Sequence, residues 1–225
     1  PSGGGDGHVG WEISETDGFR TVARRGAVTA DATRDYCVKV DVTGLRAGRR
    51  YYYRFLSASG PSVTGITRTA PRGRVESLSA AFYSCANLPF GYIDAYGDAA
   101  AREDVELCLH LGDYIYELKR GIYPGGLDVV PGRVIEPIGE TVSLADYYAR
   151  YASYHVDPDL LELRRVKPLS VIWDDHELTN DTWSGGAQNH QEATEGTFAD
   201  RVAAASKAYY DWMPIRPPRR NGPRL

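Results

Sequence analysis

The stretch Val105-Glu-Leu-Cys108-Leu-His110-Leu-Gly112-Asp113-Tyr-Ile-Tyr116-Glu117 sets the fold class of this chain. A short apolar run, Val105 to Leu111, ends abruptly at a Gly-Asp pair. The same design occurs twice more. Leu78 to Tyr83 ends at Ser84-Cys85-Ala86-Asn87, and Leu169 to Trp173 ends at Asp174-Asp175-His176-Glu177. Helical patterns lie between and after these runs. Ser143-Leu-Ala-Asp146 is a capping box that opens a helix with Leu144, Tyr147, Tyr148 and Tyr151 on one face. Thr197-Phe-Ala-Asp200 opens another, with Phe198, Val202, Ala205, Tyr209 and Trp212 at helical spacing, and it should stop before Pro214. Alternating strands and helices predict a sheet of parallel strands covered by helices, with a ligand beyond the carboxyl ends of the strands. All three strands end in groups able to ligate a metal or donate a proton.

Upstream the pattern changes. Short strand-like runs (His8–Ile13, Thr21–Thr29 with a break at Gly26, Tyr36–Val42 with strict alternation, Arg50–Ser57, Ser62–Thr69) are separated by turn signals, as in a β-sandwich. Leu45 and Tyr51 flank a turn in the manner of the corner of a fibronectin type III domain. Ala70-Pro71-Arg72-Gly73 makes a linker. We therefore expect a small all-β domain over 1–72, structural in role, and an α/β domain over 73–225. Charge divides at the same place: 11 Lys/Arg against 7 Asp/Glu over 1–72, and 15 against 23 over 73–225.

Whole-chain arithmetic narrows the functional classes. Among 225 residues, 25% are charged and 42% hydrophobic, which excludes disorder as the dominant state. A net charge of −4 argues against a nucleic-acid partner. No apolar run reaches the ~18 residues of a membrane span, and Pro1-Ser2-Gly3-Gly4-Gly5 does not resemble a signal peptide. Three cysteines (Cys37, Cys85, Cys108) are too few for a disulfide scaffold, and at least one has no disulfide partner.

The strand ends carry the chemistry. Gly112 permits a sharp turn that projects Asp113, whose two carboxylate oxygens can bridge two cations. Tyr116, three residues on, reaches the same ion if the loop coils, and a phenolate suits ferric iron. The competing reading makes Asp113 a cap for the next helix. In Asp174-Asp175-His176-Glu177, four ionisable groups directly follow an apolar strand and need a cation or hydrogen-bonding partners. His176 is placed to donate a proton or stabilise charge, unless a carboxylate merely satisfies it. Cys85 is either a thiolate ligand or a buried hydrophobe. Asn87 is either a ligand or phosphate contact or a turn residue.

Gly-Asp-x-x-Tyr followed by Asp-His-Glu resembles the metallophosphoesterase superfamily. Ser84-Cys85, then His-Leu-Gly-Asp-Tyr-Ile-Tyr-Glu over 110–117, then Trp-Asp-Asp-His-Glu over 173–177 resemble more closely the alkaline phosphatase D (PhoD-type) family. Asn87-Leu-Pro-Phe-Gly-Tyr92, Asn180-Asp-Thr-Trp183 and Trp212-Met-Pro-Ile-Arg216 are similar to it too. The resemblance implies a metallophosphoesterase-like α/β sandwich after a fibronectin-like domain. It implies hydrolysis of phosphate mono- or diesters by a metal-bound hydroxide, with Fe3+ and Ca2+, outside the cytoplasm in the periplasm or extracellular space. By motif position Cys85, Asp113 and Tyr116 would hold iron, Asp113 would bridge to the second metal, Asp175 and less centrally Asp174 would ligate it, His176 would serve the transition state, and Asn87 would contact phosphate. The superfamily completes its site with later motifs, including a Gly-Asp-x-His type segment that is not found after His176, where only His190 follows. We therefore expect an N-terminal portion whose catalytic domain is completed by a further C-terminal part, and an export signal outside these residues. The Gly121–Gly139 loop is expected near the site as a shaper of specificity or an ordinary surface loop. A phospholipase D-like hydrolase and a non-catalytic adhesion protein using the sandwich are the alternatives.

Overall fold

The computed structural model describes residues 7–125 and 128–216. The Pro1–Gly5 stretch, two residues of the Gly121–Gly139 loop and residues 217–225 lie outside the described residues. Strand β1 (Gly7–Ser14) sits between β2 (Val22–Ala30) and β3 (Arg50–Ser57), and β3 also pairs with β4 (Gly60–Pro61) and β5 (Gly65–Arg68), all antiparallel. Gly26 does not break β2. It lies opposite Trp11 in the ladder, and a Cβ there would come within 2.8 Å of the indole ring. The glycine is the seat of a cross-strand tryptophan. The corner behaves as expected: Tyr51, 1% exposed, accepts a hydrogen bond on its hydroxyl from the Arg46 amide at 2.9 Å.

Tyr36–Val42 is not a strand, despite its alternation. Period two assigns side chains to faces but does not supply a neighbouring edge to pair with. Here the segment meets the end of the last helix instead, where Lys39 Nζ donates to the carbonyls of Tyr210 and Ile215. Among the described residues the N-terminal strands form one sheet rather than two stacked ones.

The second half holds three parallel strands in the order β6 (Ala80–Tyr83), β7 (Leu107–His110), β8 (Leu169–Val171), registered Tyr83 to His110 to Val171. Each is shorter than its apolar run, since Leu78 and Ile172 are exposed. Helix α1 (Asp94–Ala101) connects β6 to β7, while α2 (Leu144–Tyr154) and α3 (Pro158–Val166) connect β7 to β8. A hairpin, β9 (Thr182–Trp183) with β10 (Gly186–Ala187), is followed by α4 (Glu192–Glu195) and α5 (Phe198–Trp212). Among the described residues, no helix is long and apolar enough to cross a membrane.

Both helix starts follow from the sequence. Ser143 and Asp146 make the reciprocal capping box of α2, and the Thr197 hydroxyl accepts from the Asp200 amide at 3.1 Å. The core is rich in tyrosine: Tyr147, Tyr151 and Tyr154 of α2 are fully buried with Cys108, Leu163 and Ala208. Burying a side chain such as Leu163 stabilises the fold by about 1.5–3 kcal/mol. The α5 stripe is displaced from the expected one. Phe198, Val202 and Trp212 are half-buried, whereas Arg201, Ala205, Ala208 and Tyr209 are buried. Arg201 can face inward because Glu140, Glu195, the Tyr147 hydroxyl and the Thr141 carbonyl surround its guanidinium.

Candidate metal centre

Beyond their last paired residues, β6 and β7 stay joined. The Cys85 amide donates to the Gly112 carbonyl at 3.2 Å, and the Ala86 amide to the Asp113 carbonyl at 2.9 Å. Cys85 and Asp113 both adopt a left-handed backbone, with φ of 59° and 55°. Such angles are uncommon for residues other than glycine and cluster at functional sites. They bring Cys85 Sγ to 3.3 Å from Asp113 Oδ2. Tyr116 arrives without a helical turn, and its hydroxyl lies 3.3 Å from the same Oδ2.

The loop after β8 is packed hard against the loop after β7. Gly112 has φ 105°, and a Cβ on it would fall 2.4 Å from the Asp174 amide nitrogen, so only glycine lets the two backbones meet. This contact carries Asp175 and His176 to Asp113. One ligand atom from each of the three lies within 4.8 Å of the others.

Electrostatics favour a cation here. Burial lifts the Asp113 carboxyl above its usual range, and the nearby Asp175 and Asp174 add to the lift, against the Cys85 thiol and His176. Burial, then the Asp113 and Cys85 charges, push the Tyr116 phenol far upward. Asp113 Oδ1 is buried with no hydrogen-bond partner. A buried orphan oxygen beside a thiol, a phenol, a second carboxylate and an imidazole is a donor set that a metal ion satisfies. The residues present thus fit a metal.

The remaining sequence candidates sit less centrally. Asp174 is exposed, and its carboxylate accepts from the Asp175 amide at 3.0 Å as the cap of a short turn, outside the three-residue cluster. The Asn87 side-chain amide donates to the Tyr123 carbonyl at 3.0 Å. That bond ties the Gly121–Gly139 loop to the site, and Tyr123 places its ring 5.8 Å from that of Tyr116 and 5.2 Å from that of His176. His190 bonds the Gly196 carbonyl and faces Glu195.

Comparison with known proteins gives the family. A family model described as PhoD-like phosphatase matches residues 80–225, and one for the PhoD-like phosphatase N-terminal domain matches 2–71. The chain belongs to the PhoD-like phosphatase family. It is 35% identical over 210 residues to alkaline phosphatase D of Bacillus subtilis (strain 168), covering 92% of this chain and 35% of that protein. A solved structure described as "Structure of PhoD" superposes with a TM-score of 0.84 at 33% identity, over 94% of this chain and 40% of that one. The chain thus spans between a third and two fifths of the length of these relatives.

Two residues of this PhoD-like chain stand behind the candidates without having been singled out from sequence. Glu117 is fully buried and its Oε2 lies 2.7 Å from His176 Nδ1, while Oε1 accepts from the Asn180 amide at 2.7 Å and the Asn189 side chain at 3.1 Å. Burial alone would lower the His176 pKa. The Glu117 hydrogen bond and charge, with Asp113 and Asp175, overcome this and hold it above the usual histidine value. Burial likewise works against the Glu117 charge, but the bond to His176 prevails and keeps its pKa low. Glu177, also fully buried, accepts three backbone amides, and burial lifts it to about 7 against their pull. Both glutamates occur in the quoted motifs. Their signal was the cost of charge beside an apolar strand, which demands partners.

Proposed function

We propose that the protein hydrolyses phosphate mono- or diesters at this centre. The single observation that carries the reading is the buried Asp113 carboxylate, clustered with Asp175 and His176, whose Oδ2 meets Cys85 and Tyr116 and whose Oδ1 has no partner. Membership of the PhoD-like phosphatase family supports the reaction class. Cys85, Asp113 and Tyr116 form a set suited to Fe3+, and Asp113 and Asp175, with Asp174 at the rim, a set suited to a harder ion such as Ca2+. Bound cations would lower the pKa of a water and balance the charge of the phosphoryl oxygens.

The chain's own residues do the rest. Glu117 binds Nδ1 of His176 and leaves Nε2 as the free ring nitrogen, with the ring packed against both Tyr116 and Tyr123. An imidazolium kept charged by Glu117 can place a proton on a leaving oxygen or offset charge on a phosphoryl oxygen. Asn87 steadies the Tyr123 loop at the mouth of the site. For the N-terminal sheet we propose a fibronectin type III-like module with a structural role, supported by the Tyr51 corner.

The test is activity of the full-length protein on p-nitrophenyl phosphate and bis-p-nitrophenyl phosphate, with metal analysis. Asp113→Asn should remove bound metal and lower kcat/KM by ~10³-fold or more. Wild-type metal content and turnover in that variant would overturn the assignment.

A further inference from the structure

The two loops that carry the candidate ligands belong to different strands, and Glu177 joins them. Its Oε1 accepts from the Tyr114 amide at 2.6 Å, and its Oε2 accepts from the Asp113 amide at 3.0 Å and the Asp174 amide at 2.8 Å. Two of the three donors are thus the backbone of candidate ligands, and the third adjoins one. Behind the carboxylate the loops touch at Gly112 and Asp174 with no room for a Cβ. The side chain is 0% exposed, and among the described residues no cationic side chain is paired with it.

We propose that Glu177 is a positioning residue: one carboxylate clasps the Gly112–Tyr114 loop to the Asp174–His176 turn, so that Asp113 and Asp175 stand at cation-binding distance before any cation arrives. The inference rests on the metal-site reading above and adds to it the group that presets the ligand spacing. Three N–H donors converge on one carboxylate, which neither an amide nor a shorter acid can reproduce. In Glu177→Gln one oxygen becomes an NH2 that faces an amide N–H, so either the Tyr114 bond or the Asp113 and Asp174 bonds together are lost, and the clasp is weakened. Glu177→Asp keeps the charge but withdraws it by one methylene, and the three donors cannot all be reached. Groups that orient metal ligands typically contribute about 10–100-fold in metal affinity.

The test is terbium(III) titration of the full-length apoprotein, read by luminescence sensitised through the neighbouring tyrosines, together with amide exchange at Asp113 and Tyr114. The titration is run below the melting temperature, so that only folded protein is scored. Wild type should bind and Asp113→Asn should not, which checks the metal site itself. Glu177→Gln should bind about 10–100-fold more weakly and exchange the Tyr114 amide faster. Glu177→Asp should move in the same direction and serves alone if the Gln variant does not fold. Wild-type terbium affinity in a folded Glu177 variant would overturn the clasp while leaving the metal site intact. If Asp113→Asn binds terbium like wild type, the metal-site reading fails, and unchanged Asp113 and Tyr114 exchange in the Glu177 variants would then overturn the clasp as well.

Discussion

On the antiparallel sheet Arg54 meets Glu12, and beside it Arg46 meets Glu15, both pairs at least partly exposed and of opposite charge. At the ends of the parallel strands, Asp113, Tyr116, His176, Glu117 and Glu177 are buried together, and the only ion pair among them is His176 with Glu117. Surface pairs of the first kind add little to stability. Buried groups of the second kind cost free energy unless something specific satisfies them, so their persistence points to a job other than holding the fold. The contrast follows from topology. Antiparallel neighbours return through tight turns and keep their polar side chains at the surface, whereas parallel strands all end at the same edge and stack their terminal loops there.

Acid should separate the two regions most sharply. His110 accepts from the Gly112 amide on Nδ1 and pairs with the Tyr96 hydroxyl through Nε2, so it is held neutral, and burial lowers its pKa to about 4. His155 is lowered as well, by burial and by Arg164. Both are depressed below their unfolded value near 6.5. Their contribution is therefore complete above that pH and drains away as pH falls toward 4, where the unfolded chain takes up protons first. His110 alone accounts for about 3 kcal/mol over that window. Glu177, lifted to about 7, pulls the other way over the same window. The His110 share is therefore read in urea unfolding at pH 7, 5.5 and 4.5 against His110→Asn, whose stability relative to wild type should rise as pH falls, with the difference seen in β7 amides rather than those of β1. A difference between the two that does not change with pH, or one seen first in β1, would break the comparison.

Glu117→Gln probes the catalytic side of the same contrast. Removing the charge that orients His176 should lower kcat on p-nitrophenyl phosphate by ~10²-fold with little change in KM. An unchanged kcat would make Glu117 a mere core filler. The smallest effect belongs to the N-terminal sheet. Tyr51→Phe removes the corner hydrogen bond and should cost about 1 kcal/mol in thermal unfolding, with kcat/KM untouched. A loss of activity there would show that the two sheets are coupled.

Much of this was legible beforehand, for identifiable reasons. The strand–helix alternation, the capping boxes at Ser143 and Thr197 and the Tyr51 corner are local patterns, and local patterns survive into the structure. Cys85, Asp113, Tyr116, Asp175 and His176 could be named because each lies within a few residues of a strand end, and their convergence needed only a parallel sheet. What escaped depended on neighbours distant in sequence. Gly26 reads as a break until Trp11 is placed over it. Tyr36–Val42 reads as a strand until no edge is found for it. Arg201 is not marked as buried by any local pattern; Glu140 and Glu195 surround it only in the fold. The roles of Glu117 and Glu177 require knowing which backbone amides face them.

The bonds from Cys85 to Gly112 and from Ala86 to Asp113 have a consequence for how such a site can diverge. They continue the β6–β7 register past the strands, so the spacing of the two backbones that carry the thiol and the carboxylate is set by the sheet's own lateral repeat, about 4.8 Å. The centre is therefore permissive of changes in chemistry and intolerant of changes in length. Swapping the thiol for another donor leaves the ruler in place. Inserting one residue between Tyr83 and Cys85, or between His110 and Asp113, would slide a ligand by a full step and turn it toward the opposite face. Lineages that retune such a centre are expected to do so by substitution at the strand ends, and to confine insertions and deletions to the long connection beyond Glu117.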